Sequence, residues 1–312
     1  MAEAKEERFV NPINGKSYEF LKVLGRGASG KVYKVVEDTE GPGACRFYAL
    51  KEMRLTRDIT VEKIENEIGI MREIAGNCKV LPCIYDSWQS GSAYYVLISY
   101  INGVPLDELN LPPQCQAWHK ICRMLVLGLY YIQSFGIVHR DIKPDNIIVT
   151  DDFHVYYVDF GLACRPPKCA PAGTPDFMPP EFRDLRYMRY DDAGTSLSDV
   201  FMLGATIYQS IFRKKFNPSN KFLAKTTDFH QGWRDARQFL SNDRRARFLY
   251  PWNGILIQML SYKRVDRPSP AIIIKELRNV DKGGNLLTTT QIRFLNHKTL
   301  GIEPSAPSEE KS

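Results

Sequence analysis

The sequence predicts an α+β fold of two lobes, in which a small β-rich N-terminal lobe with one key helix precedes a larger, mostly helical C-terminal lobe. Segments rich in β-branched and aromatic residues recur between residues 18 and 101, and one helical pattern interrupts them. Residues 102–105, Asn-Gly-Val-Pro, then break the pattern as a hinge would. Beyond this hinge apolar residues recur mainly at helical spacing, which predicts the second lobe.

The small lobe is predicted to hold strands and a single helix. Strands over residues 20–25 and 30–36 flank a glycine-rich turn, and residues 46–53 and 93–101 form two further β-branched and aromatic stretches. A helix is expected over residues 60–74, because its apolar residues fall on one face at helical spacing.

The large lobe is predicted to begin with a helix whose apolar stripe ends near Gly136. Short strands over residues 146–150 and 154–158 follow, joined by an Asp-Asp-Phe turn. Residues 199–212 and 254–260 are interpreted as buried helices. These elements complete the second lobe.

The predicted domain comprises residues 18–280, with its lobes at 18–101 and 102–280. Residues 1–17 form an N-terminal segment, and residues 281–312 form an extension whose Pro, Ser and Glu-rich end suggests a flexible tail. No apolar run approaches the roughly 18 residues of a membrane span. The charged N-terminus lacks the apolar core of a secretory signal. We therefore expect a cytoplasmic protein, with the nucleus as the alternative, and no membrane partner.

The net charge of +6 is modest and spread out. We expect no nucleic-acid partner, because such proteins concentrate more positive charge on one face. Basic residues cluster at 213–215 and 244–247. We interpret these clusters as solvated surfaces; a docking patch for acidic or phosphorylated partners is the alternative.

The cysteines are odd in number and include no Cys-x-x-Cys pair. This spacing argues against a zinc site and favours free thiols in a reducing compartment. The seven cysteines are Cys45, Cys78, Cys83, Cys115, Cys122, Cys164 and Cys169.

A glycine-rich loop lies between the first two predicted strands. Residues 25–32 fit the pattern G-x-G-x-x-G-x-V. A dinucleotide-binding fold would require a helix directly after the third glycine, whereas residues 31–36 are predicted to form a strand. A glycine loop between two strands is typical of a cover over nucleotide phosphates, because glycine lets the backbone approach phosphate oxygens.

Further motifs follow in order, and with them the chain resembles a eukaryotic-type serine/threonine protein kinase over residues 18–280. The motifs are Tyr48-Ala49-Leu50-Lys51, the H-R-D-x-x-x-x-N match at residues 139–146, Asp159-Phe160-Gly161, and the loop at residues 173–181 with Pro-Pro-Glu at its end. The resemblance implies the bilobal protein-kinase fold and transfer of the γ-phosphoryl group of Mg-ATP to Ser/Thr hydroxyls of protein substrates.

The resemblance also implies roles for individual residues. Lys51 would contact the α- and β-phosphates, Asp141 would orient the attacking hydroxyl, and Lys143 would lie near the γ-phosphate. Asn146 and Asp159 would hold Mg²⁺. The residues expected around the nucleotide are Leu24, Gly25, Arg26, Gly27, Ala28, Ser29, Gly30, Lys31, Val32, Ala49, Lys51, Glu67, Ser99, Ile101 and Ile148. For the apolar members of this set, core packing is the competing interpretation.

The helix over residues 60–74 should supply a carboxylate to Lys51, and Glu62, Glu65 and Glu67 are the candidates. Glu67 lies three, four or seven residues from Ile64, Met71 and other apolar side chains, and so shares their inward face. Glu67 is therefore the predicted partner.

Two structural pairings are implied as well. Glu181 would pair with Arg267, and Asp199 would hold the backbone of the catalytic loop.

The segment after Gly161 contains no Ser, Thr or Tyr before Thr174. We hypothesise that this segment is ordered without phosphorylation. Its cysteines could form a redox switch, but inert thiols are the expected state.

Three other functions compete with an active protein kinase. A pseudokinase normally lacks the lysine, the aspartates or a magnesium ligand, and none is missing here. A small-molecule phosphotransferase of this fold would generally lack the Gly-Thr-Pro loop and the Glu/Arg pair, which are present. An interaction module binding through the basic clusters is the third alternative, and ATP turnover separates it from an enzyme.

Overall fold

The computed structural model describes residues 8–27, 30–38, 46–74, 80–167, 169–182, 195–214 and 226–280. The strands are β1 (Arg8–Val10), β2 (Ser17–Gly27), β3 (Gly30–Glu37), β4 (Phe47–Arg54), β5 (Ile84–Ser90), β6 (Ala93–Ser99), β7 (Gly103–Pro105), β8 (Ile147–Thr150) and β9 (Val155–Tyr157). The helices are α1 (Val61–Ile74), α2 (Ala117–Gln133), α3 (Ser196–Phe212), α4 (Thr226–Asn242), α5 (Arg244–Arg247), α6 (Trp252–Met259) and α7 (Pro270–Val280). A β-sheet region thus precedes a helical region, which is the predicted bilobal α+β fold.

The small lobe is an antiparallel sheet with strand order β1-β2-β3-β4-β6-β5. Aromatic and aliphatic side chains of β2, β3, β4 and β6 pack together on one face, around Tyr18, Tyr33 and Leu50. Helix α1 covers the other face, where Ile64 and Ile68 pack with residues of β4 and β6. β4 is therefore buried on both faces from Tyr48 to Met53, and this stretch includes the charged residues Lys51 and Glu52.

Strand β1 extends this sheet into the segment that sequence analysis left outside the domain. Phe9 lies opposite Tyr18 of β2 and is buried. Asn11 is fully buried, and its Nδ2 donates to Asp86 Oδ2 at 2.7 Å. A three-residue strand is too short for periodicity to reveal it, and its stability comes from these tertiary contacts.

The connection between the lobes contains a short strand where only a break in pattern was expected. β7 pairs with β8, which pairs with β9, to form a second antiparallel sheet. A Cβ on Gly103 would lie 2.5 Å from the carbonyl oxygen of Val149, so the close approach of β7 to β8 requires glycine. Similarly, β6 ends at Ser99 rather than at the predicted Ile101, because the chain leaves the sheet there.

The large lobe packs its helices around α2 and α3, whose side chains dominate the main hydrophobic core. α3 is buried nearly all round, which explains why its sequence lacks a polar face. No helix among the described residues has the length and apolar character needed to cross a membrane. The predicted extension at residues 281–312 lies outside the described residues.

The expectation of free thiols is wrong for part of the set. Cys164 and Cys169 form a disulfide with a Cα–Cα distance of 5.5 Å, and Cys83 is also disulfide-bonded. Cys115 and Cys122 are free. The fold of the segment brings Cys164 and Cys169 together across a tight turn, which spacing alone does not show. Cys45 and Cys78 lie outside the described residues.

Candidate active site

Lys51 lies in β4 with a side chain that is only 9% exposed. Its Nζ donates to Glu67 Oε1 at 2.5 Å and to Asp159 Oδ1 at 2.9 Å. Burial lowers the pKa of Lys51, but the carboxylates of Glu67 and Asp159 more than offset this effect and raise it above the ordinary value of 10.5. The lysine is therefore a fixed positive charge.

The structure places Glu67, rather than Glu62 or Glu65, against Lys51. Glu67 is buried with Ile64 and Met71 on the inner face of α1, whereas Glu62 and Glu65 are exposed. The helical periodicity of the apolar residues thus identifies the partner of Lys51.

The β2–β3 hairpin carries the glycine loop. Leu24, Gly25, Arg26 and Gly27 are exposed at the end of β2, and Gly30 begins β3. Gly30 has a φ of +139°, and a Cβ there would lie 2.1 Å from the carbonyl oxygen of Glu52. Glycine is required at this position by both the backbone angle and the space. The loop residues Ala28 and Ser29 lie outside the described residues.

Two of the apolar residues expected near the purine, Val32 and Ala49, share the sheet face that carries Lys51. Val32 lies directly opposite Lys51 in the β3–β4 ladder, and Ala49 precedes Lys51 by two residues, so all three side chains point to one face. Ile148 belongs to β8 in the large lobe. Val32 and Ala49 thus belong to the small lobe and Ile148 to the large lobe, and their place around a purine stays a prediction.

Ser99 ends β6 at the edge of the small lobe and is held by Cys83. Its N–H donates to the Cys83 carbonyl oxygen, and its Oγ accepts from the Cys83 N–H, both at 2.9 Å. Ile101 follows, before the chain enters β7. The segment between the lobes is thus fixed through its backbone.

Side chains of residues 139–146, the predicted catalytic loop, form one hydrogen-bonded cluster with Thr174 around Asp141. Its Oδ1 accepts from both the N–H and the hydroxyl of Thr174, at 2.9 and 2.7 Å. Its Oδ2 accepts from Asn146 Nδ2 at 3.0 Å and lies 3.2 Å from Lys143 Nζ. Lys143 Nζ also donates to Thr174 Oγ1 at 3.0 Å. Both oxygens of the carboxylate are therefore held in fixed directions.

Asp199, in α3, binds the backbone at the start of the loop at residues 139–146. Its carboxylate accepts the N–H groups of His139 and Arg140 at 2.7 and 2.8 Å. Arg140 has a φ of +66°, a costly conformation for a non-glycine residue that these hydrogen bonds sustain. Burial raises the pKa of Asp199 to about 7, although both backbone N–H groups lower it.

Asp159 lies two residues after the end of β9 and also has a positive φ, +64°. Its Oδ1 accepts the Gly161 N–H at 3.2 Å. The Phe160 ring is buried in the main core against His139, with ring centroids 4.9 Å apart. The Val158 N–H donates to the Asn146 carbonyl oxygen at 2.9 Å, which joins the backbone beside Asp159 to that of Asn146.

Glu181 and Arg267 form a bidentate ion pair in which the Arg267 side chain is fully buried and that of Glu181 is 13% exposed. Both oxygen–nitrogen distances are 2.7 Å. Ser198 at the start of α3 also donates to Glu181 Oε1 at 3.1 Å. The ion pair joins the end of the loop at residues 173–181 to the chain just before α7. The resemblance to protein kinases implied this pairing.

The segment from Gly161 to Gly173, here called the activation segment, has contacts that sequence reasoning missed. Arg140 donates through Nε and Nη1 to the carbonyl oxygens of Leu162 and Ala170. Asn66 Nδ2 of α1 donates to the Ala163 carbonyl oxygen at 3.0 Å. Arg165 pairs with Glu73 of α1. No local sequence pattern signals such pairings, because they join residues far apart in the chain.

Over most of its length the chain is similar in sequence to known protein kinases. The protein kinase domain family matches residues 18–278. The chain is 28% identical over 210 residues to the probable cAMP-dependent protein kinase catalytic subunit of Encephalitozoon cuniculi, which covers 63% of this chain and 60% of that protein. It is 27% identical over 218 residues to serine/threonine-protein kinase D of Synechocystis sp., with coverages of 63% and 41%. Serine/threonine-protein kinase Sgk2 of Mus musculus is 29% identical over 208 residues, with coverages of 62% and 53%.

The matches to these curated relatives therefore span 60% of their length or less. The family match is broader with respect to this chain, because it begins in β2 and ends in α7. It includes both lobes, the Lys51–Glu67 pair and the cluster around Asp141. The chain belongs to the protein kinase domain family.

Proposed function

We propose that this chain is an ATP-dependent serine/threonine protein kinase, which transfers the γ-phosphoryl group of Mg-ATP to hydroxyls of protein substrates. A single observation carries the proposal. Hydrogen bonds bring four side chains from the two lobes into one site: Lys51, Asp159, Asn146 and Asp141. Lys51 binds Asp159 directly, Asn146 binds Asp141 directly, and a backbone hydrogen bond from Val158 to Asn146 joins the two pairs. The names of the relatives, each of them a protein kinase, support the same reaction.

The residues present fit Mg-ATP. Asn146 uses its amide nitrogen to donate to Asp141, which leaves its carbonyl oxygen for a cation. That oxygen and the Asp159 carboxylate are donors of the kind that Mg²⁺ prefers. Bound Mg²⁺ supplies charge neutralisation at the phosphate oxygens. Lys51, held charged by its two carboxylates, would bind the α- and β-phosphates, and the glycine-rich β2–β3 hairpin would approach them with its backbone.

Asp141 is the residue that acts on the acceptor hydroxyl of the substrate. Its carboxylate is fixed by Thr174 and Asn146, so it can orient the hydroxyl and take up its proton without prior rearrangement. Lys143 lies beside it and carries a positive charge toward the transferred phosphoryl group. Val32, Ala49 and Ile148 would pack against the purine, and the backbone at Ser99 and Ile101 would form hydrogen bonds with its edge.

A protein substrate is favoured over a small molecule. Thr174 contacts both Asp141 and Lys143, so the loop that it begins is part of the active site. The Glu181–Arg267 pair anchors the other end of that loop. A pseudokinase is disfavoured because every charged group that the reaction needs is present in the site.

Phosphotransfer to a generic substrate tests the proposal. The purified full chain would be incubated with Mg-ATP labelled on the γ-phosphate and with casein or histone. We expect label on serine and threonine of the substrate, and loss of that label in Asp141→Asn. Asp145→Asn is the matched control, because Asp145 is exposed in the same loop. ATP hydrolysis without transfer, or transfer that survives Asp141→Asn, would contradict the assignment.

We also propose a cytoplasmic or nuclear location, because those compartments supply Mg-ATP together with protein substrates. Imaging of a fluorescently tagged chain tests this proposal, and accumulation outside both compartments would overturn it.

A further inference from the structure

We propose that the Cys164–Cys169 disulfide is a reversible redox modification site that controls the kinase. In this proposal the disulfide holds the activation segment in its assembled arrangement, and reduction to two thiols lowers phosphotransfer. The proposal rests on the proposed function and extends it to regulation. Four features of the structure carry it.

The first feature is the position of the disulfide beside the catalytic loop. Cys164 and Val138 exchange two backbone hydrogen bonds of 2.9 Å, and Val138 directly precedes His139. Val138, Cys164 and Cys169 form a small buried cluster of their own, apart from the main core. The state of the sulfur atoms therefore bears on the backbone that leads to Asp141.

The second feature is that the Arg140 guanidinium binds backbone carbonyl groups on both sides of the disulfide. Its Nε donates to the carbonyl oxygen of Leu162, before Cys164, and its Nη1 donates to that of Ala170, after Cys169. The S–S bond fixes the separation of the two chain segments that carry these carbonyls. The activation segment offers no Ser, Thr or Tyr, so no phosphate within it can supply this restraint instead.

The third feature connects the disulfide to Glu67. The residues on either side of Cys164 both contact α1: the Ala163 carbonyl oxygen accepts from Asn66 at 3.0 Å, and Arg165 pairs with Glu73. α1 carries Glu67, the partner of Lys51. Loosening the segment around Cys164 thus removes two restraints on the helix that completes the phosphate-binding site. The oxidised form, which has the Lys51–Glu67 pair in place, is the active one.

The fourth feature favours a reversible bond over a permanent one. The cysteines are five residues apart, and a disulfide that closes so short a loop stabilises a fold less than one that closes a long loop. Arg165, Pro166, Pro167 and Ala170 are exposed, so the ring lies at the surface although both sulfurs are covered. A local opening of this loop is enough to admit a reductant.

The chemistry is a thiol–disulfide exchange with a dithiol. One thiolate of the reductant attacks a sulfur of the Cys164–Cys169 bond and forms a mixed disulfide, and the second thiolate resolves it. Two electrons and two protons pass to the protein. Cys164 and Cys169 become thiols, and the dithiol reductant is oxidised to a disulfide. Oxidation by a disulfide-bearing partner reverses the step.

The test compares oxidised and dithiothreitol-reduced full chain. Alkylation of new thiols, read by peptide mass spectrometry, reports the state of Cys164 and Cys169. We expect reduction to lower kcat about fivefold or more, a typical size for coupling between two sites, and reoxidation to restore it. Hydrogen exchange should rise in residues 162–170 and in α1. Equal kcat in both states, with the thiols shown to be free, would overturn the proposal.

Two variants separate this disulfide from the one that contains Cys83. Cys164→Ser/Cys169→Ser should have the kcat of the reduced protein under both conditions. Cys83→Ser should keep the ratio of oxidised to reduced rates seen in the wild type, because Cys83 belongs to another disulfide. If the double variant does not fold, reversible reduction of the wild-type chain decides. If no phosphotransfer occurs in either state, the proposed function fails, and unchanged hydrogen exchange on reduction overturns the redox proposal separately.

Discussion

Glu67 Oε1 lies 2.5 Å from Lys51 Nζ, and both side chains are almost fully buried. The pair joins α1 to β4 within the small lobe. Asp159, which follows β9 in the large lobe, contacts the same ammonium group at 2.9 Å. One nitrogen atom thus connects β4, α1 and the segment after β9, so the candidate active site depends on the charges around that atom as well as on packing.

Glu67→Gln should lower kcat while leaving the chain folded. The amide keeps the shape of the carboxylate but loses its charge. A hydrogen bond to a charged group contributes about 1.5–3 kcal/mol, which corresponds to roughly 10- to 160-fold in rate. Steady-state phosphotransfer at saturating ATP is the measurement, and thermal unfolding checks the fold.

Glu65→Gln is the matched control for that variant. It makes the same change in the same helix, at a side chain that is exposed. Its rate should equal that of the wild type. Comparable losses in both variants would show that the helix as a whole, rather than the Lys51 pair, is sensitive to substitution.

Much of this arrangement could be predicted from the sequence because it is local. The face of α1 that carries Glu67 follows from the helical period of its apolar residues, and Asp141 and Asn146 belong to one contiguous loop. The contacts of Asn66 and Arg140 with the activation segment could not be predicted. They join residues 97 and 22 positions apart to backbone carbonyls, which leave no trace in the side-chain pattern.

The disulfide and the first strand could not be predicted for a related reason. Cys164 and Cys169 pair because the fold of the activation segment brings their Cα atoms to 5.5 Å, whereas composition alone favoured thiols. β1 is stabilised by pairing with β2 and by the burial of Phe9 and Asn11, not by its own propensity. Tertiary contacts decide both features.

Asp159→Asn should abolish phosphotransfer without unfolding the chain. Removing a charged metal ligand should lower the rate on the order of 10³-fold, and added magnesium should not restore it. A magnesium titration of the initial rate is the measurement. Asp151→Asn, in the exposed turn after β8, is the control and should behave as the wild type. Full magnesium-dependent turnover by the Asp159 variant would remove this residue from the site.

Asp199 predicts a pH dependence of stability with a definite sign. Burial raises its pKa from the ordinary value of 3.8 to about 7. Between these values the native state binds more protons than the unfolded state, so the contribution of Asp199 to the free energy of unfolding falls as the pH rises from about 4 to about 7. Above that window the contribution is constant.

Asp199→Asn removes this titration. The difference in unfolding free energy, wild type minus variant, should therefore decrease as the pH rises through the window, by up to about 1.4 kcal/mol per pH unit. Urea unfolding of both proteins across the window is the measurement. A difference that stays constant with pH would mean that Asp199 keeps an ordinary pKa.

The last prediction is that the enzyme is active without phosphorylation of its activation segment. In many kinases a phosphate in this segment pairs with the arginine that precedes the catalytic aspartate. Here that arginine, Arg140, already donates to the carbonyl oxygens of Leu162 and Ala170. The segment contains no Ser, Thr or Tyr. A phosphate on the adjacent Thr174 would displace the hydroxyl that Asp141 and Lys143 bind, and so would obstruct the site.

The chain should therefore be produced in a host without eukaryotic kinases, kept oxidised, and treated with phosphatase. Intact mass confirms that no phosphate remains. We expect the phosphatase-treated protein to have the same kcat as the untreated protein, because the Arg140 guanidinium already donates to the carbonyl oxygens of Leu162 and Ala170. Activity that vanishes after phosphatase and returns with rephosphorylation at a mapped site in the segment would refute the prediction, because Arg140 would then need a partner that the carbonyl oxygens do not replace.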